Sequence, residues 1–329
     1  MRVLVTGATG FLGSHIAEQL SRQGHTVRVL VRRTSDRSFL RGIDVEEALG
    51  DVTQPDTLPA AVEGMESIVH AAGLVKARSA EEFDAVNAGG TANLLSTLGQ
   101  ARQLRRFVLI SSLAAHGPSE DGHPRPVDAP PAPVTAYGHS KLKAEQFVRA
   151  WAGDHDKVGA TIIRPPVIYG PRDRQLLTFF QLARWRLAPL LGDGTNSISC
   201  VYVEDAARAA AQAATAAADA PSATYTVDDG SVYTWRDLLA AVEQAVGRKA
   251  LRIPSPPWAY AAAAFVSETY GRLRRQAVSF TADKVIEMRQ RYWVCSHDEI
   301  SRHLGWQPQV DLAQGAALTA AWYRQHRWL

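Results

Sequence analysis

Arg2-Val3-Leu4-Val5-Thr6-Gly7-Ala8-Thr9-Gly10-Phe11-Leu12-Gly13 opens the chain. The apolar run reads as a buried strand, and the helical pattern Gly13–Gln23 follows at once, so the glycines fall in a strand-to-helix turn. Gly7 permits the tight turn, Gly10 lets backbone approach a pyrophosphate, and Gly13 lets helix and strand pack closely. The phosphates would sit at the helix N-terminus, where free N–H groups and the dipole favour anions. The spacing is Gly-x-x-Gly-x-x-Gly, one residue longer at the first gap than the commoner dinucleotide fingerprint. Thr9, Phe11 and Leu12 lie inside the loop and join Gly7, Gly10 and Gly13 as candidate contacts.

Outward from this turn, strands and helices alternate. Strands are expected at Arg2–Thr6, Thr26–Val31, Ser67–His70, Arg106–Ser111 and Gly159–Arg164. A short helical turn is expected at Leu58–Val62, with helices at Glu82–Gln103 and Tyr137–Ala152. Such alternation predicts an α/β fold, a doubly wound parallel sheet of Rossmann type covered on both faces. Beyond Pro171 the alternation weakens. Helical patterns at Leu176–Trp185, Asp205–Ala218, Trp235–Val246, Trp258–Arg275 and Leu312–His326 are separated by short strands near Ser199–Val203, Ala223–Val227 and Leu251–Ile253. Residues 1–170 are expected to bind nucleotide, with a segment near 199–228 returning to that domain, and 171–329 to form a smaller, mainly helical substrate domain. Pro118 to Pro133 is proline-rich and reads as a surface loop near the site.

Composition narrows the function classes. With 329 residues, 46% hydrophobic and 21% charged, the chain can bury a full core. Its 36 basic and 33 acidic residues leave +3, and the basic ones are scattered apart from Arg272, Arg274 and Arg275. A nucleic-acid partner is therefore not expected. Two cysteines, Cys200 and Cys295, without metal-ligand spacing predict no metal site, no disulfide framework and a reducing compartment. The N-terminal run reads as a strand, so no signal peptide is expected, and the most apolar stretch, Trp258 to Val266, is too short to span a bilayer. A cytoplasmic protein is expected. Trp258 to Val266 could be core, a lid over the site or an interfacial helix in peripheral membrane contact.

Two further motifs bear on chemistry. Asp or Glu usually holds a 2′-hydroxyl about 20 residues beyond the glycines, whereas a 2′-phosphate calls for Arg. Here Val31-Arg32-Arg33-Thr34 offers two arginines and no acid, which predicts NADP(H) over NAD, with Arg32 the main contact. Asp51-Val52 is a candidate for the adenine end. Tyr137 and Lys141, four apart, would share one helix face, where an ammonium beside a phenol lowers its pKa and makes it a usable acid and base.

These motifs, with His70-Ala71-Ala72-Gly73, Asn87-Ala88-Gly89-Gly90-Thr91, Ser111-Ser112, Arg164-Pro165-Pro166-Val167-Ile168-Tyr169-Gly170-Pro171 and Val201-Tyr202-Val203-Glu204-Asp205, resemble the extended short-chain dehydrogenase/reductases, the epimerase/dehydratase family. The resemblance spans essentially the whole chain. It implies that Tyr137 is the general acid/base, that Lys141 holds the nicotinamide ribose and depresses the Tyr137 pKa, and that Ser112 bonds the substrate oxygen. It places Ala71, Ala72 and Gly73 along the ribose and pyrophosphate, and Pro165 and Val167 beside the nicotinamide. Asn87 would lie near the cofactor, fixing backbone geometry. It also implies a homodimer built on the Tyr–Lys helix and its predecessor, with Leu94, Leu95, Leu98, Leu142, Phe147 and Val148 compatible.

The chain departs from sugar-nucleotide members in two places. Val167 stands where they carry Asn, and Asn196-Ser197-Ile198-Ser199 contains no arginine to grip a diphosphate, although Arg172 and Arg174 lie nearby. The departures resemble members of the dihydroflavonol reductase and 3β-hydroxysteroid dehydrogenase type. The expected function is carbonyl reduction or alcohol oxidation on a mid-sized apolar substrate (steroid-, flavonoid- or keto-acid-like). A nucleotide-sugar epimerase or dehydratase with tightly held NAD is the first alternative, and a non-catalytic NADP-binding regulator or assembly factor the second.

Overall fold

A computed structural model describes residues 1–329 apart from 101, 218–219, 275 and 279. Arg275, grouped above with Arg272 and Arg274, lies outside the described residues, as do positions 101 and 218 within two of the expected helices.

The chain forms strands β1 (Arg2–Thr6), β2 (Thr26–Val31), β3 (Glu46–Leu49), β4 (Ser67–His70), β5 (Arg106–Ile110), β6 (Gly159–Arg164), β7 (Val167–Tyr169), β8 (Leu187–Leu191), β9 (Ser197–Tyr202), β10 (Ala223–Thr226), β11 (Val232–Thr234), β12 (Leu251–Ser255) and β13 (Tyr292–Trp293). Seven of them make one parallel sheet in the order β10-β6-β5-β4-β1-β2-β3. Succession runs outward one way from β1 and the other way from β4, so the crevice between them is the switch point where such sheets bind ligands. The fold is the doubly wound α/β architecture expected.

Side-chain alternation explains why the central strands read as unbroken apolar runs. Val3 and Val5 face one layer, where Ile16 and Leu20 of the Phe11–Arg22 helix pack with Ala207, Ala211 and Ala214 of the Val203–Thr215 helix. Leu4 faces the other, with Leu94, Leu95, Leu98, Ala144 and Val148. Both faces of the sheet are thereby covered. The alanine-rich stretch is a buried helix whose small side chains let it lie close on the sheet. Both cysteines are buried free thiols.

The remaining strands form a four-stranded group, β11-β9-β13 with β7 also on β9, and the pair β12-β8. Strands β3, β7, β8, β11 and β13 were not among those expected, because none of them carries a sustained alternation of apolar and polar residues. The expected helix Glu82–Gln103 is broken. A turn at Ala80–Phe83 runs into a π-helical segment, Asp84–Gly89, then an α-helix at Gly90–Thr97. The α-helical part opens at Gly90, where a Cβ would meet Val52 Cγ2 at 2.8 Å, so glycine lets the helix lie against that side chain. Wide turns of the π-helical kind occur mostly at functional positions, and this one carries Asn87.

Candidate active site

The glycine turn after β1 is shaped by its neighbours. Gly7 has φ +72°, and a Cβ there would meet the Ala71 and Ala72 backbone at 2.7 Å. A Cβ on Gly13 would lie 2.2 Å from the Gly7 carbonyl. The Phe11–Arg22 helix therefore starts directly against the end of β4. Gly10 caps it without any side-chain acceptor, and no acid occupies the first turn. That leaves an uncapped positive helix end facing the switch point.

A chain of buried polar groups fixes the floor of this crevice. The Ala72 amide donates to Thr6 Oγ1 at 3.1 Å, and Thr6 Oγ1 lies 2.7 Å from His70 Nδ1. His70 Nε2 meets Thr91 Oγ1 at 3.0 Å, and Thr91 donates to the Asn87 carbonyl at 2.6 Å. One tautomer, protonated at Nε2, satisfies every group. Burial holds His70 down to about 3, so it stays neutral. The Asn87 side chain accepts from the Leu74 amide at 2.7 Å and donates to Leu74 O at 3.1 Å and Ser140 Oγ at 2.9 Å. Asn87 thus ties the Gly73 loop to the helix bearing Tyr137.

That helix, Ala136–Gly153, begins at the Thr135 cap. Gly138 allows it to approach Ser112, because a Cβ there would strike the Ala114 carbonyl at 2.4 Å. The helix is locked from beneath. Glu145, fully buried, accepts from Arg164 Nε at 2.9 Å, Arg164 Nη2 at 2.7 Å and Ser111 Oγ at 2.6 Å. Ser111 is therefore spent inside the fold. Ser112 instead caps the Leu113–His116 turn, accepting from the Ala114 amide at 3.1 Å, while the Leu113 amide reaches Pro165 O at 2.9 Å.

Electrostatics at Tyr137 differ from the sequence expectation. Burial pushes the phenol up to about 12, and a hydrogen bond with Ser112 pulls the other way without overcoming it. Lys141 does not act on the phenol in the way expected. Its amine, buried beside the Gly73 loop, donates to Ile110 O at 2.6 Å, and burial lowers it to about 8. A further influence on Tyr137 comes from Glu287, on the Ala282–Arg289 helix, which adds to the upward push. Asp283 of the same helix accepts the Ala136 amide at 2.7 Å. No sequence motif pointed to either acid, because the contact joins segments some 150 residues apart.

Just past the end of β2, next to β1, Arg32 Nη1 and Asp51 Oδ2 stand 3.9 Å apart, with the Arg32 side chain 64% exposed. Arg33 is also exposed, and Val52 is buried against Gly90. Val167 opens β7 opposite Cys200. The structure brings Gly7, Ala71, Ala72, Gly73, Asn87, Ser112, Tyr137, Lys141 and Pro165 to one edge of the sheet, and sets Arg32 and Asp51 beside it. An uncapped helix end, exposed guanidinium groups and a buried amine suit the phosphates, the 2′-position and the ribose of a nicotinamide dinucleotide.

Residues 3–227 match the model of the NAD dependent epimerase/dehydratase family. The chain belongs to that family. Within this family it is 34% identical to ceramide reductase of Caulobacter vibrioides, over 99% of this chain and 96% of that protein. It is 28% identical to 2-alkyl-3-oxoalkanoate reductase of Stenotrophomonas maltophilia, over 96% and 97%. Among solved structures, UDP-glucose 4-epimerase of Thermus thermophilus in complex with NAD superposes with a TM-score of 0.79 at 25% identity, covering 98% and 99%. The chain is an extended short-chain dehydrogenase/reductase and an NAD(P)-dependent oxidoreductase.

The family motif Val201–Asp205 proves structural in this member. Asp205 is buried and accepts the amides of Gln309 and Val310 at 2.8 and 3.0 Å, anchoring the C-terminal segment. Trp306 is fully buried above it, donating to Asp205 O at 3.1 Å. Trp293 and Trp322 are partly buried against the apolar cluster of Phe180, Leu238 and Tyr323. Leu94, Leu95, Leu98 and Val148 are core residues, whereas Phe147 is exposed. Arg172 and Arg174 are both engaged away from the Asn196–Ser199 segment. Arg172 pairs with Glu18 at 2.6 Å and Ser14 at 3.1 Å, and the Arg174 guanidinium lies 5.2 Å from the Trp328 ring centre.

Proposed function

We propose that this enzyme uses NADP(H) to reduce the ketone or aldehyde of a mid-sized apolar substrate, with Tyr137, Ser112 and Lys141 at the reacting centre. Residues 1–170 would hold the cofactor and 171–329 the substrate. The dihydronicotinamide, when bound, supplies the hydride. Ser112 orients the carbonyl oxygen, and Tyr137 donates the proton that converts the developing alkoxide to an alcohol. A phenol held near 12 by burial is protonated at neutral pH, which suits a donor in the reductive direction. Lys141, buried next to Gly73, places a cation where the ribose would pass. Gly7, Thr9, Gly10, Phe11, Leu12 and Gly13 would bind the pyrophosphate, Arg32 and Arg33 the 2′-phosphate, Asp51 and Val52 the adenine, and Pro165 and Val167 the nicotinamide.

The observation that carries this reading is the Lys141 amine, which lies beside the Gly73 loop and donates to Ile110 O at 2.6 Å, two residues before Ser112 and one helical turn from Tyr137. The substrate class rests on charge. Near the β9 start the site offers Asn196, whose amide nitrogen is spent on Met288 O and Gln290 O, and the arginines Arg172 and Arg174 are taken up elsewhere. A diphosphate would go without its cation, a loss of about 1.5–3 kcal/mol per charge-assisted bond. The reductases named above support the same direction. A panel of long-chain, steroid and flavonoid ketones, read by NADPH absorbance, tests it. Turnover of a nucleotide sugar with retained NAD and no net absorbance change would replace it with the epimerase reading. NADPH binding without turnover on the panel would point to a regulator. The homodimer is likewise a proposal, checked by sedimentation.

A further inference from the structure

The helix Pro257–Arg274 is built inside out. Ala264 is buried, a Cβ on Gly271 would come within 2.9 Å of Gln276 O and Val278, and Tyr260 donates to Leu190 O at 2.8 Å. The large apolar residues point the other way. Trp258 is 73% exposed, Phe265 70%, Val266 66% and Leu273 80%. Their spacing of seven, eight and fifteen residues from Trp258 draws one stripe along the helix. Phe265, Val266 and Leu273 also border a shallow apolar depression with Thr269 and Tyr270. Next to the helix, Leu187 and Leu251 are partners in the β8–β12 ladder and both exposed. A contiguous apolar surface of this kind marks a binding face.

Charge identifies the occupant. Residues 184–191 and 247–274 carry seven basic side chains and a single acid, Glu268, in a chain whose net charge is only +3; Arg252 stands 3.8 Å from Glu243 and Arg272 3.9 Å from Glu268, which leaves a net basic surface. Arg248 donates to Arg184 O at 2.8 Å and so joins the two segments. Arg272 and Arg274 lie in the last turn of the helix. Two copies of this chain meeting face to face would oppose like charges, which disfavours self-association here. No helix among the described residues is long and apolar enough to cross a membrane. An apolar stripe rimmed by arginine and lysine, opened by a tryptophan, fits the boundary between acyl chains and acidic headgroups.

We infer that the Pro257–Arg274 face docks on the surface of an anionic lipid bilayer. The docked helix stands two hydrogen bonds from the catalytic region. Its Glu268 accepts the Ala282 amide at 2.7 Å, and Asp283 of the next helix accepts the Ala136 amide, beside Tyr137, at 2.7 Å. The inference is independent of which carbonyl the enzyme reduces.

The test is co-sedimentation of the full chain with vesicles of phosphatidylcholine alone and of phosphatidylcholine doped with phosphatidylglycerol. Partitioning onto the doped vesicles is expected to be about tenfold stronger, and to weaken with salt. The pair Phe265→Ser and Leu273→Ser, both at exposed positions, is expected to abolish it while NADPH binding and circular dichroism stay unchanged. The pair Arg272→Gln and Arg274→Gln is expected to erase the preference for the acidic lipid. Equal partitioning of wild type and the serine variant overturns the inference, as does absence of binding to the doped vesicles. A concentration-dependent dimer lost in the serine variant, without vesicle binding, assigns the face to a second copy instead.

Discussion

The Lys141 amine donates to the carbonyl oxygen of Ile110 at 2.6 Å. Ile110 ends β5, two residues before Ser112, so the bond fixes the Ala136–Gly153 helix to the strand that leads into Ser112. The same bond holds a charge in a place where burial works against it, lowering the amine to about 8, with Glu145 opposing the shift.

From this follows a pH dependence within the working range. Lys141 is a cation below about 8 and neutral above it, so whatever the cation contributes to the negatively charged cofactor is lost as pH rises. Reductive kcat/KM is expected to fall through that pH, by up to tenfold per unit. Tyr137, near 12, adds no limb there. Lys141→Met should lower the rate and flatten the profile. A wild-type profile level from pH ~6 to ~9.5 would remove the amine from the mechanism.

Tyr137→Phe keeps the ring that packs 5.7 Å from Phe83 and removes only the hydroxyl. The loss of a positioned acid predicts a fall in kcat of ~10²–10⁴ with NADPH affinity nearly unchanged. Ser112→Ala, which also removes the cap of the Leu113–His116 turn, is expected to cost ~10²-fold in kcat. Single-turnover kinetics and cofactor titration separate the two effects. Near-normal turnover without the phenol would sink the mechanism.

Arg32 reaches toward Asp51 from the exposed end of β2. Arg32→Ala is expected to cut kcat/KM with NADPH about tenfold, equivalent to ~1.4 kcal/mol, and to leave NADH within about twofold. Steady-state measurements with both cofactors decide it. A wild-type enzyme preferring NADH tenfold would show that the arginine pair is only solvated surface.

The central strands were legible because burial and glycine punctuation leave a strong local signal. Arg2–Thr6, Thr26–Val31, Ser67–His70 and Gly159–Arg164 fall where apolar runs meet turns. Ser112, Tyr137 and Lys141 are candidates from motif and order, and the fold places Lys141 on the helix of Tyr137 with its amine on the strand that ends two residues before Ser112. What escaped depends on long-range packing. The π-helical turn at Asp84–Gly89 leaves no periodicity signal of its own, and the Thr6–His70–Thr91–Asn87 chain joins β1, β4 and the Asp84–Thr97 segment, which are far apart in sequence. The direction of the Tyr137 shift was misread for the same reason: helical spacing suggested Lys141 beside the phenol, whereas the fold gives the amine to a carbonyl and buries the hydroxyl. Trp258 to Val266 had three readings in sequence, and exposure removes the core reading for Trp258, Phe265 and Val266.

The pair Glu145–Arg164 carries the last prediction. Both side chains are buried to within 1% exposure, and Arg164 also donates to Val127 O at 3.0 Å. Glu145→Gln leaves a guanidinium with a neutral partner in a site sealed from water, a change worth ~3–5 kcal/mol of lost stability. Arg164→Met is expected to cost less, because Arg149 at 3.5 Å and Ser111 still face the carboxylate. Replacing both by methionine should recover part of the loss, since no unpaired charge then remains buried. Urea unfolding of the three variants measures each term through the midpoint at constant slope. If Glu145→Gln unfolds within ~0.5 kcal/mol of wild type, the Ala136–Gly153 helix is held by its apolar face alone, through Ala144 and Val148, and the ion pair serves some end other than stability.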